Sequence, residues 1–213
     1  MGPSQMRDTL FGDIPLDHFP EGGQPSDEFP WGAFVAARMD LRTGNRTGAF
    51  SQWRRVLDTP GLEPRHYLQA WHFLRQQAEQ PPRHLAKQLL GMVVEVAMPE
   101  GLDVLAAYPD HSARYYNYSG AGVVWEHPDA SLDPAIDQLL SASQEVVAKI
   151  GPWEQGRPPA PPPGHTRLSF LTPSGLHFGE GPTDALSRDP LAWRVFHLAK
   201  GLMGALVAKT SGA

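Results

Sequence analysis

The stretch from residue 102 to residue 126, LDVLAAYPDHSARYYNYSGAGVVWE, leaves a chain few ways to fold. Its apolar and aromatic residues come in runs too short for stable helices, and the runs are broken by Pro109-Asp110-His111-Ser112 and by Ser119-Gly120-Ala121-Gly122. Both breaks are rich in residues that form tight turns. The spacing predicts three strands, 102–108, 113–118 and 122–126, joined as an antiparallel meander. Such a sheet needs one face covered by other elements, so the rest of the chain has to supply a cover.

Two downstream segments suit that role. From Asp133-Pro134 onward, Ile136, Leu139, Leu140, Val146, Val147 and Ile150 recur at helical spacing, and after Asp189-Pro190 so do Leu191, Val195, Leu198, Leu202 and Leu206. Met92 to Met98, MVVEVAM, is compatible with helix or strand; its β-branched residues and the Pro99-Glu100-Gly101 turn favour a strand. Residues 166–172 and 176–178 read as a hairpin around Pro173-Ser174-Gly175, and residues 155–165, QGRPPAPPPGH, as an extended polyproline linker acting as a spacer. The fold class expected is α+β: an antiparallel β-meander plus hairpin backed by two long helices, preceded by a small helical module.

With the shortest turns, one sheet face receives Met92, Val94, Val96, Val104, Ala106, Tyr108, Ala113, Tyr115 and Val124. The other receives Glu95, Asp103, Leu105, Arg114, Tyr116, Tyr118, Val123 and Trp125. A slip of one residue would invert any strand.

Upstream the period is helical. Residues 1–26 read as a flexible arm or strap, and 27–91 as a helical module, with 92–209 forming the α+β domain. Helices are expected at WGAFVAARMDL, at GAFSQWRRVL with Thr47 as N-cap, at PRHYLQAWHFLRQQ with Pro64 in its first turn, and from about Arg83. Ala37, Gly44, Ala49, Trp53, Val56 and Pro60 together resemble one tetratricopeptide repeat unit. Arg83, where a second unit needs a small residue, argues against a tandem array.

Composition narrows the function classes. Lys and Arg number 18 against 23 acidic residues, a net charge of −5 with no basic run, which argues against binding driven by nucleic-acid phosphates or an anionic membrane. No cysteine is present, so disulfides, thiolate metal sites and thiol nucleophiles are excluded. The N-terminal residues lack the apolar run of a secretion signal, and the chain is read as cytoplasmic.

Nine histidines are scattered, none paired with a carboxylate in the i, i+4 pattern of zinc hydrolases, so neither metal nor cofactor is expected. Gly120-Ala121-Gly122 starts no dinucleotide fingerprint, and Ser119 and Ser174 lie in no nucleophile elbow. The group singled out is Arg114 with Tyr116, Tyr118 and Trp125, a guanidinium among rings that would hold an anionic or planar ligand, oriented by Glu95 or Asp103. The competing reading is that these rings are packing and that Asp103 neutralises Arg114. His111, beside Asp110 at a turn tip, is a candidate acid or base whose plain alternative is a solvated turn.

Three classes of function follow. The first is a non-catalytic adaptor or accessory protein whose partner is another protein. The second is a small-molecule sensor or enzyme using the Arg114 pocket, and the third, ranked last, is single-stranded nucleic-acid binding by stacking. The run AYPDHSARYYNYSGAGVVWE is similar to a stretch that recurs in uncharacterised bacterial proteins; the resemblance implies a bacterial origin and no activity.

Overall fold

A computed structural model describes residues 3–19 and 28–210. The chain divides into two compact units, residues 1–86 and 87–213.

The first unit is helical: α1 (Pro3–Phe11), α2 (Trp31–Arg42), α3 (Arg46–Asp58) and α4 (Pro64–Gln76). Phe34, Trp53 and Phe73 form its centre, with Phe19 set against Phe73 and Phe34 at ring distances of 5.8 and 5.5 Å. The N-terminal arm is packed where it is described. Residues 3–11 are helical, Leu10, Phe11 and Phe19 are buried, and Gln69 on α4 bonds both backbone groups of Ile14. Residues 20–27 of that arm lie outside the described residues. Asn45, not Thr47, caps α3, its side chain accepting from the Gly48 amide at 3.0 Å. The helix expected from Arg83 does not form: only a turn follows Pro82, with Leu85 N and Ala86 N donating to Pro82 O.

The second unit is a six-stranded antiparallel sheet: β1 (Gly91–Met98), β2 (Gly101–Ala107), β3 (Ala113–Tyr116), β4 (Gly122–Trp125), β5 (His165–Thr172) and β6 (Gly175–Pro182). Their order is β4-β3-β2-β1-β5-β6, so the 92–98 run is a strand and lies centrally. Three helices complete it: α5 (Asp133–Lys149), the short α6 (Thr183–Leu186) and α7 (Trp193–Thr210). Ile136, Leu139 and Val147 of α5 and Val195, Leu202 and Leu206 of α7 are buried in one core with Met92, Val94, Leu105, Leu168 and Phe170. Lys87 closes the far end of α5, donating to the Ala148 and Ile150 carbonyls at 3.3 and 2.9 Å.

The observed register corrects the face assignment. The β1–β2 turn has only Pro99 and Glu100 between its paired ends, with Met98 opposite Gly101, so Val94 faces Leu105 and Val96 faces Asp103. Val104 and Ala106 thus lie on the sheet face away from α5 and α7, where Tyr108 also packs over Gly91, and Leu105 joins the helix-covered face. β3 ends at Tyr116, not Tyr118, because Asn117 takes over: its side-chain oxygen accepts from the Ser119 and Ala121 amides and the Ser119 hydroxyl. Tyr115 then pairs with Val123 and Ala113 with Trp125, which moves Val123 and Trp125 under the helices and Val124 to the other side.

The polyproline segment is no free spacer. Trp153 packs on Phe178 at 5.3 Å and donates its amide to Leu176 O, Pro161 is buried, and the Pro158 and Pro159 carbonyls accept from Arg167. Residues 153–161 form a strap over the second face of β5 and β6.

Candidate functional site

The register separates the residues singled out from the sequence. Arg114 and Tyr116 share the second face with Glu95, yet Glu95 is two strands away and faces Arg167 across the β1–β5 pairing. Arg114 is buried and donates to Glu126 at 2.6 Å. The Tyr116 ring covers Gly122 on the neighbouring strand so closely that a Cβ there would lie 2.3 Å from it. Asp103 and Trp125 lie on the helix-covered face. Asp103 accepts from the Tyr115 hydroxyl at 2.7 Å and the Tyr118 amide at 2.8 Å, while Lys209 sits 5.0 Å over the Trp125 ring. Burial, and then the Asp103 carboxylate, push the Tyr115 hydroxyl up to about 12. Tyr118 is 53% exposed in the β3–β4 loop. These six residues therefore form no common pocket.

A larger group of buried charge on the second face centres on Arg167. Glu95, Arg167 and Glu180 stand side by side on β1, β5 and β6, as the pairing of Glu95 with Arg167 and of Arg167 with Glu180 requires. Glu95 and Arg167 are buried. Arg167 reaches Glu95 at 3.4 Å, holds Glu180 through Nε at 2.7 Å and through Nη2, and donates to Pro159 O at 2.7 Å. The Phe178 ring lies 5.4 Å from its guanidinium. With carboxylates on two sides and strap carbonyls on a third, Arg167 has the partners a buried guanidinium requires.

A cavity of about 360 Å³ opens on the helix-covered side, between the C-terminal half of α5, strands β5 and β6, α6 and residues 189–192. Its walls are Val146, Ile150, Leu168, Phe170, Leu186 and Leu191. It exists because β6 presents glycine at two successive positions on this face. Gly179 and Gly181 pair with Leu168 and Thr166, and a Cβ at Gly179 would meet nothing within 4 Å. The one carboxylate on this side of the lining, Asp189, is occupied by the Leu191 and Ala192 amides at 2.9 Å, while Glu180 turns its side chain to Arg167 on the other face. Sequence reasoning passed over this site, although LHFGEGP shows the signal, glycines two apart in a strand whose neighbours on that face are large.

His111, expected at an exposed turn tip, sits against α5, its Nε2 2.9 Å from Asp137 Oδ1. His127 and Asp133 lie beside it, three residues that sequence spacing gave no reason to group.

No family model, no curated protein and no solved structure matches this chain.

Proposed function

We propose that the 87–213 unit is a receptor for a small, uncharged, apolar molecule held in the cavity between α5, α6 and β6. The observation that carries this is the pair Gly179 and Gly181, which hollows out a site of ordinary ligand size, about 300–1,000 Å³, walled by aliphatic side chains and Phe170. Because Asp189 is already engaged and the rest of the wall is apolar, the lining favours binding over acid–base chemistry, and it disfavours anions. This keeps the sensor class of function and moves its site from Arg114 to the opposite face.

The test is a Gly179→Leu variant, whose side chain would enter the empty space without backbone strain. Saturating naphthalene is expected to raise the melting temperature of the wild-type chain and not that of the variant. An equal response in both, or none in either, would reject the reading.

The adaptor reading retains one observation of its own. β4 is an edge strand with Val124 51% exposed, an apolar position on an edge to which a partner strand could add. In that reading the protein works in the bacterial cytoplasm as an accessory subunit. Native mass spectrometry of the chain drawn from its host would show a bound protein that Val124→Lys releases; retention in that variant would place the contact away from β4.

A further inference from the structure

Three elements meet at the N-terminal end of α5: the β2–β3 turn brings His111, the chain leaving β4 brings His127, and α5 brings Asp133 with Asp137 one turn further on. Among the described residues three non-glycine residues have φ in the left-handed region, and two of them are His111 at 60° and His127 at 53°. Their rings lie 5.2 Å apart.

The polar atoms converge. His127 Nε2 is 3.0 Å from Asp133 Oδ1 and 3.2 Å from Oδ2, and His111 Nδ1 is 3.8 Å from Asp133 Oδ2. One ligand atom each from His111, His127 and Asp133 can be chosen so that all three lie within 4.8 Å of one another. Asp133 Oδ1 is buried and accepts no hydrogen bond of good geometry, His127 notwithstanding. His111 uses its other nitrogen, Nε2, on Asp137.

We propose that this cluster is a binding site for a first-row divalent transition metal of the zinc type. The ligands are His111 Nδ1, His127 Nε2 and the Asp133 carboxylate, and Asp137 is the positioning residue that holds His111. Bonds of about 2.0–2.2 Å to imidazole nitrogen and carboxylate oxygen bring ligand atoms to roughly 3.3 Å from one another. Atoms already within 4.8 Å close on an ion by side-chain rotation.

The donor set chooses the class of ion. Two imidazoles with one carboxylate suit zinc and its neighbours, whereas calcium and magnesium require oxygen shells. A carboxylate on the outer nitrogen of a ligating histidine fixes the ring and its tautomer, which is the relation Asp137 has to His111. The N-terminal end of α5 opposes a cation with roughly half a positive charge; two carboxylates outweigh it. With side chains of His111, His127 and Asp133 exposed by 28%, 41% and 22%, a fourth position faces solvent and would take water or a ligand donor.

The test is calorimetric titration of the untagged, chelator-stripped full chain with zinc chloride in a magnesium-containing buffer. Variants His111→Asn and His127→Asn are chosen because asparagine tolerates the left-handed backbone of both sites. One equivalent is expected to bind the wild type. Asp137→Asn is expected to weaken binding about tenfold, the two histidine variants more, and His165→Asn, a histidine remote in sequence, not at all. Circular dichroism of each variant separates loss of ligand from loss of fold. Wild-type binding no tighter than that of a folded His111→Asn or His127→Asn chain would overturn the proposal, as would binding lost only with His165. If Asp137→Asn leaves affinity unchanged, its positioning role falls and the three-ligand site is kept only by the histidine results.

Discussion

The two faces of the sheet are both buried at their centres by opposite means. Under α5 and α7 the β strands present Met92, Val94, Leu105, Leu168 and Phe170 to helices whose own stripes are aliphatic, and burial follows from packing alone. On the second face, the row that starts at Tyr116 and Val104 runs on through Glu95, Arg167 and Glu180, and it is closed in part by proline carbonyls. Along that row burial depends on charges finding one another, beside the buried apolar Val93, Ala106 and Tyr108 of the same face. A packed face loses stability in proportion to the atoms removed, whereas a paired face fails when one partner goes.

That contrast orders the expected effects. Arg167→Leu leaves Glu95 buried without its guanidinium and should cost about 4 kcal/mol, read from urea unfolding. Adding Glu95→Leu to the same chain should restore part of the loss, because the carboxylate that faced Arg167 goes too; no recovery would mean that Arg167 acts mainly by holding the strap. On the packed face, Leu139→Ala removes a fully buried side chain and should cost about 3 kcal/mol. At the apolar part of the second face, Gly91→Ala would set a Cβ 2.7 Å from the buried Tyr108 ring and should cost about 2 kcal/mol.

Two smaller effects are read against pH. His177, on the helix-covered face opposite Phe170, is held below its ordinary value by burial, with Lys87 adding to the same direction and Gly175 O opposing it. Its neutral form is the one the fold favours, so its contribution is complete above about 6.5 and is lost as pH falls through its folded value. His177→Gln should flatten the fall of the urea midpoint between neutral and mildly acid pH. Tyr115 works at the other end. Its raised value means the protonated hydroxyl is favoured, so stability is complete below about 10 and is lost as pH rises through about 12. Tyr115→Phe should be less stable than wild type at neutral pH and converge on it in strong alkali.

The sequence showed the elements better than their phase. The meander, the hairpin and both covering helices are legible from period and punctuation, because Pro99, Pro109, Asp133-Pro134 and Asp189-Pro190 mark ends. Which side a residue faces depends on how many residues a turn consumes, and that is decided by local bonds. Pro99 and Glu100 alone make the first turn, and the Asn117 side chain shortens β3 by two residues, so Asp103, Leu105, Val123 and Trp125 changed sides. The same cause dissolved the Arg114 pocket into an Arg114–Glu126 pair and an Asp103–Tyr115 pair. The metal cluster was hidden for another reason: His111, His127 and Asp133 come from a turn, a strand exit and a helix start, and no spacing rule spans them. The strap was misread because its side chains are poor in packing surface, while its carbonyls do the bonding.

The central place of β1 has a consequence for how the chain is made. Strands β1 to β4 are consecutive, so four of the six strands can assemble while synthesis continues, with β1 as their outer edge. Its second neighbour, β5, lies beyond α5 and the strap, and is complete only when Thr172 has emerged. Until then a strand reading GMVVEVAM offers a bare, apolar hydrogen-bonding edge. Glu95 is the one charge on it, and the residue that will later be sealed against Arg167 first serves as the guard that keeps a half-made sheet from joining another.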